Sequence, residues 1–323
     1  MALDRRAFLV GTAAALTPCL AGAQRQRDVP YRIGWISSET EPDPFVEGFR
    51  EGLRRHGYVD GRNVILDLRY TRDLEALRRA VAELTQSKVA FIVSSGPAIR
   101  AIRGARDIPV LFAISGDPVE LGLAANLARP GGNFTGLTFL SLAVAGKRIE
   151  LLKQAVPEIR RLAVLSNTDH PGEGSERRAT EEAARALGLA VSYVPFRGAG
   201  QLDGALSAVR DAMADALVVF PEGATMVARA KVAQFGIAER LPSMFGWSEY
   251  AEAGGLMSYG ANQREAYVRL ASYADKLLRG AKTAELPIEQ PTQFELVVNM
   301  KTAAALGITL PRAMLLLANR RIE

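Results

Sequence analysis

Residues 31–36, Tyr31-Arg32-Ile33-Gly34-Trp35-Ile36, read as a short apolar strand, and residues 161–166, Arg161-Leu162-Ala163-Val164-Leu165-Ser166, read as a second strand of the same kind. Each opens a series in which strand and helix patterns alternate. After the first, Phe45, Phe49 and Leu53 recur at helical spacing up to His56, and Gly57 ends that helix because glycine takes the left-handed position past a C-terminus. Residues 63–70 are the next strand, and Leu74, Leu77, Val81 and Leu84 mark a helix face. Residues 89–93 form a buried strand, Ile99 and Ile102 lie on a short helix, and 109–114 form a fourth strand.

The second series has a strand at 162–165, a helix at 176–187 stopped by Gly188, a strand at 190–194 and a helix at 202–213. A buried strand at 216–220, a helix at 224–235 and a strand at 242–245 follow. The two series align: Gly57 corresponds to Gly188, Val89 to Ala216 and Pro109 to Pro242. Such self-similarity predicts tandem α/β lobes, each a parallel sheet with helices on both faces, a three-layer sandwich. Beyond them come a strand at 256–259, a long helix at 264–278 stopped by Gly280, and an extended stretch at 287–299. Asn299 caps a helix over 300–306, Gly307 stops it, and Pro311 opens a last short helix. The expected division is 24–142 with 256–284 as lobe 1, and 143–255 with 285–323 as lobe 2, joined by a hinge with a cleft between.

Residues 1–23 read as an export signal. Asp4-Arg5-Arg6 gives a charged start, 7–16 an apolar run, and Ala21-Gly22-Ala23 a small-residue cleavage site. Arg5-Arg6 before Ala7-Phe8-Leu9 fits a twin-arginine leader, with a general secretory leader as the alternative. The lone cysteine, Cys19, falls inside this stretch, so the mature chain has no disulfide. Pro18 before it fits poorly with lipid attachment. A periplasmic location is expected.

The 323 residues are 48% hydrophobic and 23% charged, which excludes a disordered tail and a disulfide-stapled miniprotein. The formal charge of +5 is spread along the chain without a basic stripe or a reader module, so no nucleic-acid partner is expected.

In parallel α/β sheets, ligands sit beyond the carboxyl ends of the strands. The first lobe delivers Ser37, Ser38 and Glu39, then Ser94, Ser95, Gly96 and Pro97, then Ser115, Gly116, Asp117 and Pro118 to that edge. The second delivers Ser166, Asn167 and Thr168, then Pro221, Glu222 and Gly223, then Gly246, Trp247, Ser248 and Glu249. Hydroxyls and helix-start N–H groups suit an anion; Asp117, Glu222 or Glu249 suits an ammonium; Trp247 offers a flat wall. Ser95, Ser115 and Thr168 serve equally as helix caps, Asp117-Pro118 as a turn, and Trp247 and Tyr259 as core. Trp35 reads as core. Pro130-Gly131-Gly132-Asn133 is a tight turn before a short strand at 134–137, and reads as a rigid element near a crossing between lobes.

Catalytic chemistry is absent from the pattern. His56 ends a helix and His170 lies in a polar loop read as exposed. No metal set, nucleophile elbow, phosphate loop or dinucleotide fingerprint is present. No catalytic residue, metal or cofactor is expected.

Several motifs resemble one family. They are Phe49-Arg50-Glu51-Gly52-Leu53 followed by Gly57-Tyr58-Val59-Asp60-Gly61-Arg62-Asn63, Gly116-Asp117-Pro118-Val119, and Leu127-Ala128-Arg129-Pro130-Gly131-Gly132-Asn133-Phe134-Thr135-Gly136. Later come Glu252-Ala253-Gly254-Gly255-Leu256-Met257-Ser258-Tyr259-Gly260, then Leu286-Pro287 through Pro291-Thr292-Gln293-Phe294-Glu295. From 31 to 323 the chain resembles the substrate-binding proteins of ABC importers, in the tryptophan/tyrosine branch. The resemblance implies a two-lobed periplasmic binding fold of type I kind. It implies a monomer that closes on a small solute and delivers it to an inner-membrane permease with its ATPase on the cytoplasmic side. It also implies Ser95, Asp117 and Asn167 as contacts. The full candidate ligand set is Ser37, Ser38, Ser95, Ser115, Asp117, Asn167, Thr168, Glu222, Trp247 and Tyr259. Two rivals are a ligand-sensing receptor for a signalling partner and an exported hydrolase. A sugar-sensing transcription factor would share the fold, but it would need an N-terminal DNA-binding helical module where the leader is read.

Overall fold

The computed structural model describes residues 29–38, 43–139 and 142–323. The leader read at 1–23, Cys19 and the candidate Glu39 lie outside the described residues. The first sheet contains β1 (Tyr31–Ser37), β2 (Val64–Tyr70), β3 (Phe91–Ser95), β4 (Val110–Ile114) and β5 (Phe134–Thr138), all parallel, in the order β2-β1-β3-β4-β5. The second contains β6 (Arg161–Asn167), β7 (Ala190–Phe196), β8 (Ala216–Val219), β9 (Ser243–Phe245), β10 (Met257–Gly260), β11 (Glu295–Asn299) and β12 (Arg320–Ile322). Its order is β12-β11-β10-β9-β8-β6-β7, with β10–β11 the antiparallel pair. The run β7-β6-β8-β9-β10 repeats the run β2-β1-β3-β4-β5, as the sequence repeat predicts.

Central strands β3 and β4 are buried along their whole length, which is why they read as continuous apolar runs rather than alternating ones. On one face of the first sheet, Ile33, Trp35, Phe91 and Val93 pack against helices Pro44–Arg55 and Gln263–Leu278. On the other, Ile36, Ile92 and Phe112 pack against helices Leu74–Gln86 and Ile99–Ile102. Trp35 is core, as expected. Helix Pro44–Arg55 starts at Asp43, whose carboxylate accepts from Phe45 N–H at 2.9 Å, and Gly57 follows it at φ +84°. Its partner helix comes very close: a Cβ on Gly52 would lie 2.4 Å from the Val268 carbonyl oxygen. The 224–235 segment is two helices, Gly223–Val227 and Arg229–Ala238, rather than one.

The chain crosses between lobes three times: after β5 into helix Leu142–Ala155, after β10 into helix Gln263–Leu278, and after Glu289 into β11. Two parts of the expected division are corrected here. Residues 257–260, assigned to lobe 1, form β10, which hydrogen-bonds to β9 and β11 in the second sheet. Residues 285–289, assigned to lobe 2, stay on the first: Glu289 N–H donates to the Gly136 carbonyl at 3.0 Å, and Thr138 N–H to the Glu289 carbonyl at 3.0 Å. An apolar strand satisfies its backbone on whichever sheet edge it meets, and that choice leaves no mark in its own residues. The Pro130–Asn133 turn is a rigid seat for the same segment. Asn133 donates to the Ala105 and Ile108 carbonyls, and Thr283 to the Gly132 carbonyl. Among the described residues, no helix is long and apolar enough to cross a membrane.

Candidate functional site between the lobes

The carboxyl ends of the two sheets converge on one cavity. The first lobe contributes Ser95, Gly96 and Pro97 after β3, Ser115 after β4, Phe139 after β5, Phe45 at a helix start, and Gln263 and Tyr267 from helix Gln263–Leu278. The second contributes His170 after β6, Glu222 and Gly223 after β8, and Trp247 after β9. Phe45 stacks on Tyr267 with centroids 4.9 Å apart, and meets Trp247 edge-on across the cleft at 6.2 Å. The Ser95 and Tyr267 hydroxyls share a hydrogen bond of 2.6 Å. The space between these walls is about 20 Å³, room for about one water. The walls must part before a solute the size of an amino acid enters between Phe45 and Trp247.

Outside Pro97 and Glu222 the cleft widens into a mouth of about 270 Å³, lined by Ser38, Arg72 and Arg100 from the first lobe and by Asn167, Asp169 and Gly198 from the second. Glu222 caps the short helix Gly223–Val227. Its carboxylate accepts from Ala224 N–H at 2.9 Å, from Thr225 N–H, and from Asn167 Nδ2 at 3.0 Å. These donors satisfy both oxygens from within the second lobe, so an ammonium would share them rather than find a bare carboxylate.

His170 is buried, which corrects its reading as exposed: the 167–172 loop folds inward against the first lobe. Burial, and secondarily the Arg100 charge, push its pKa down to about 4, so the ring is neutral at physiological pH. Nδ1 accepts from Gly172 N–H at 3.3 Å, which leaves the ring proton on Nε2. Asp43 is also buried. Burial raises its pKa, against the opposing hydrogen bonds from Phe45 N–H and from Trp35 Nε1 (3.2 Å). Asp43 thereby fixes Phe45 on the cavity wall.

Of the sequence-predicted residues, Ser95, Ser115, Glu222 and Trp247 line the inner cavity, and Ser38, Asn167 and Glu222 line the mouth. The other four are placed elsewhere. Ser37 is buried at the end of β1, where its carbonyl accepts from Thr71 N–H. Asp117 caps its own turn, accepting from Val119 N–H at 2.7 Å and Glu120 N–H at 3.3 Å. Thr168 is exposed and accepts from Arg197 Nε. Tyr259 packs against Phe294. Sequence reasoning missed Phe45, Phe139, Gln263 and Tyr267, and no spacing signal ties Tyr267 to Ser95.

The lobes touch directly. Gly172 lies against the Ser115 carbonyl and Pro171 against Gly116. Arg100 pairs with Asp169 at 3.2 Å, and Ser175 Oγ donates to Glu120 at 3.3 Å. Among the described residues, no group of His, Cys, Asp and Glu side chains could hold a metal ion.

Two repeated sheets, three crossings and a cavity built from both lobes define a two-lobed periplasmic binding protein fold, consistent with type I. The chain matches the model of the ABC transporter substrate binding protein family over residues 36–322, and it belongs to that family. The family comprises binding proteins rather than catalysts, and an extracytoplasmic location is typical of it. A curated relative, "Tyrosine-binding protein" of Clostridioides difficile (strain R20291), is 23% identical over 270 residues, 82% of this chain and 77% of its own. The ABC domain of Streptococcus pneumonia in complex with L-Trp superposes with a TM-score of 0.82 at 24% identity, covering 91% of this chain and 100% of that one. A ligand-free, open substrate binding protein with adhesive properties from Clostridium difficile superposes with a TM-score of 0.63 at 22% identity, over the same shares.

Proposed function

We propose that this protein is the periplasmic solute receptor of an ABC importer, delivered outside the cytoplasm by the leader at 1–23. It captures a small organic solute (an amino acid, an aromatic compound or a carboxylate) between its lobes and hands it to the permease. The observation that carries this reading is the cavity itself. Phe45, Ser95 and Tyr267 come from one lobe and His170, Glu222 and Trp247 from the other, so a bound solute contacts both lobes only when they are together. A ligand with contacts to both halves shifts the population toward the closed form, and no bond is made or broken. The ring walls, and the relatives named for tyrosine and solved with L-Trp, favour aromatic amino acids as first candidates.

The test is a thermal-shift screen of refolded mature chain against amino acids, aromatic acids and small carboxylates, with small-angle scattering on each hit. At least one solute raises Tm and compacts the molecule. Binding without compaction, or no hit across the screen, overturns the reading.

A further inference from the structure

A third space opens beside the inner cavity, and His170 lines both. It measures about 200 Å³. Ile99, Arg100, Arg103, Leu121 and Leu123 of the first lobe and His170 and Pro171 of the second form its walls.

Its charge differs from that of the mouth. The lining carries two guanidinium groups and no carboxylate. Arg100 already faces Asp169 across the cleft, whereas Arg103 makes no ion pair among the described residues. Gly122, at φ +68°, gives Arg103 room: Nη2 lies 3.9 Å from where a Cβ would sit. The Asp117 turn, closed by its own carboxylate, presents Leu121 and Leu123 as an aliphatic wall. His170 adds a neutral ring rather than a competing charge.

We propose that this pocket takes the carboxylate of a small organic acid. The guanidinium of Arg103, with Arg100 beside it, receives the carboxylate, and the apolar body of the acid lies along Ile99, Leu121, Leu123 and Pro171. A guanidinium fork matches a carboxylate through two parallel hydrogen bonds, and aliphatic walls favour an anion with a carbon body over a fully hydrated inorganic one. The inference rests on the interlobe reading above and adds where the charge of a solute sits. Both lobes wall the pocket, so its occupant holds them together.

The test is calorimetric titration of the refolded chain with butanoate and benzoate. Butanamide and benzamide serve as uncharged counterparts, and inorganic phosphate as an anion without a carbon body. Each is repeated on Arg103→Gln, a change at an exposed helix-end position, with the variant's fold checked by its melting curve. One carboxylate binds about tenfold or more tighter than its amide, and Arg103→Gln removes that advantage. Equal binding of acid and amide, tighter binding of phosphate, unchanged affinity in Arg103→Gln, or no carboxylate binding each overturns the proposal. Scattering separates the two readings. Compaction by a non-acid solute, with no carboxylate bound, sinks this pocket and leaves the interlobe capture standing.

Discussion

Gly172 and Ser115 meet backbone to backbone across the cleft: a Cβ on Gly172 would stand 2.1 Å from the Ser115 carbonyl oxygen. The two residues belong to different lobes, so this contact exists only while the lobes are together. Gly172 itself sits at φ −93°, ψ −4°, outside the left-handed region that favours glycine and open to alanine. Gly172→Ala therefore spares each lobe and penalises closure alone. A forced overlap of this kind costs about 1–3 kcal/mol, or roughly tenfold or more in solute affinity. Melting of the solute-free protein stays near wild type while compaction in scattering is lost. Wild-type affinity in the variant would show that the contact does not limit closure.

The Ser95–Tyr267 hydrogen bond joins the loop after β3 to helix Gln263–Leu278 inside the first lobe. Ser95→Ala or Tyr267→Phe leaves the other hydroxyl buried with one partner fewer, at a cost of about 1–2 kcal/mol in urea unfolding. The double variant costs less than the two single losses together, because the second change removes the group left behind. Strict additivity would mean that the two hydroxyls act separately.

His170 sets a pH dependence. Its folded pKa of about 4 lies below the value near 6.5 of the unfolded chain, so the unfolded state gains a proton first as pH falls. Stability from this group is whole above about pH 6.5 and declines toward pH 4, by about 3 kcal/mol at most. His170→Asn keeps an acceptor for Gly172 N–H and removes the titration. Its stability relative to wild type rises as pH drops through this window, and parallel pH profiles would argue that the ring is not buried.

At Gly52 helices Pro44–Arg55 and Gln263–Leu278 come very close: a Cβ there would lie within 2.6 Å of the Val268 carbonyl oxygen and of Ala271 Cβ. Gly52→Ala pushes the helices apart, and with them Phe45 and Tyr267. A loss of about 1–3 kcal/mol is expected in denaturant melts. A neutral effect would mean that the helix pair yields without strain.

Asp117 separates direct contact from scaffolding. Its carboxylate accepts from Val119 and Glu120 N–H groups, a role asparagine can fill. Asp117→Ala weakens the turn by about 1 kcal/mol and loosens the side pocket, while Asp117→Asn binds solute like wild type. If asparagine loses affinity as alanine does, the charge itself touches the solute.

The sequence carried much of the architecture. The repeat at 31–36 and 161–166 anticipates matching strand orders, and Gly57, Gly188 and Gly307 fall after the helices they were read to stop. The site was legible only in part. Loops after β3, β4, β6, β8 and β9 do deliver Ser95, Ser115, Asn167, Glu222 and Trp247 to the cleft, because a parallel strand always releases its next residues at the same edge. Asp117 and Thr168 leave that edge too, yet a local turn or an exposed neighbour takes their side chains.

Strand periodicity, helix caps and glycine stops are relations among neighbouring residues, set by backbone geometry, and the amino-acid order alone determined them. Which sheet β10 joins, and that His170 turns inward, depend on contacts between distant segments. The meeting of Tyr267 with Ser95 and of Phe45 with Trp247 has the same origin. Only tertiary packing decided these, because the energy of each contact is realised only once segments far apart in the chain are brought together, within one lobe for Tyr267 and Ser95 and between the lobes for Phe45 and Trp247.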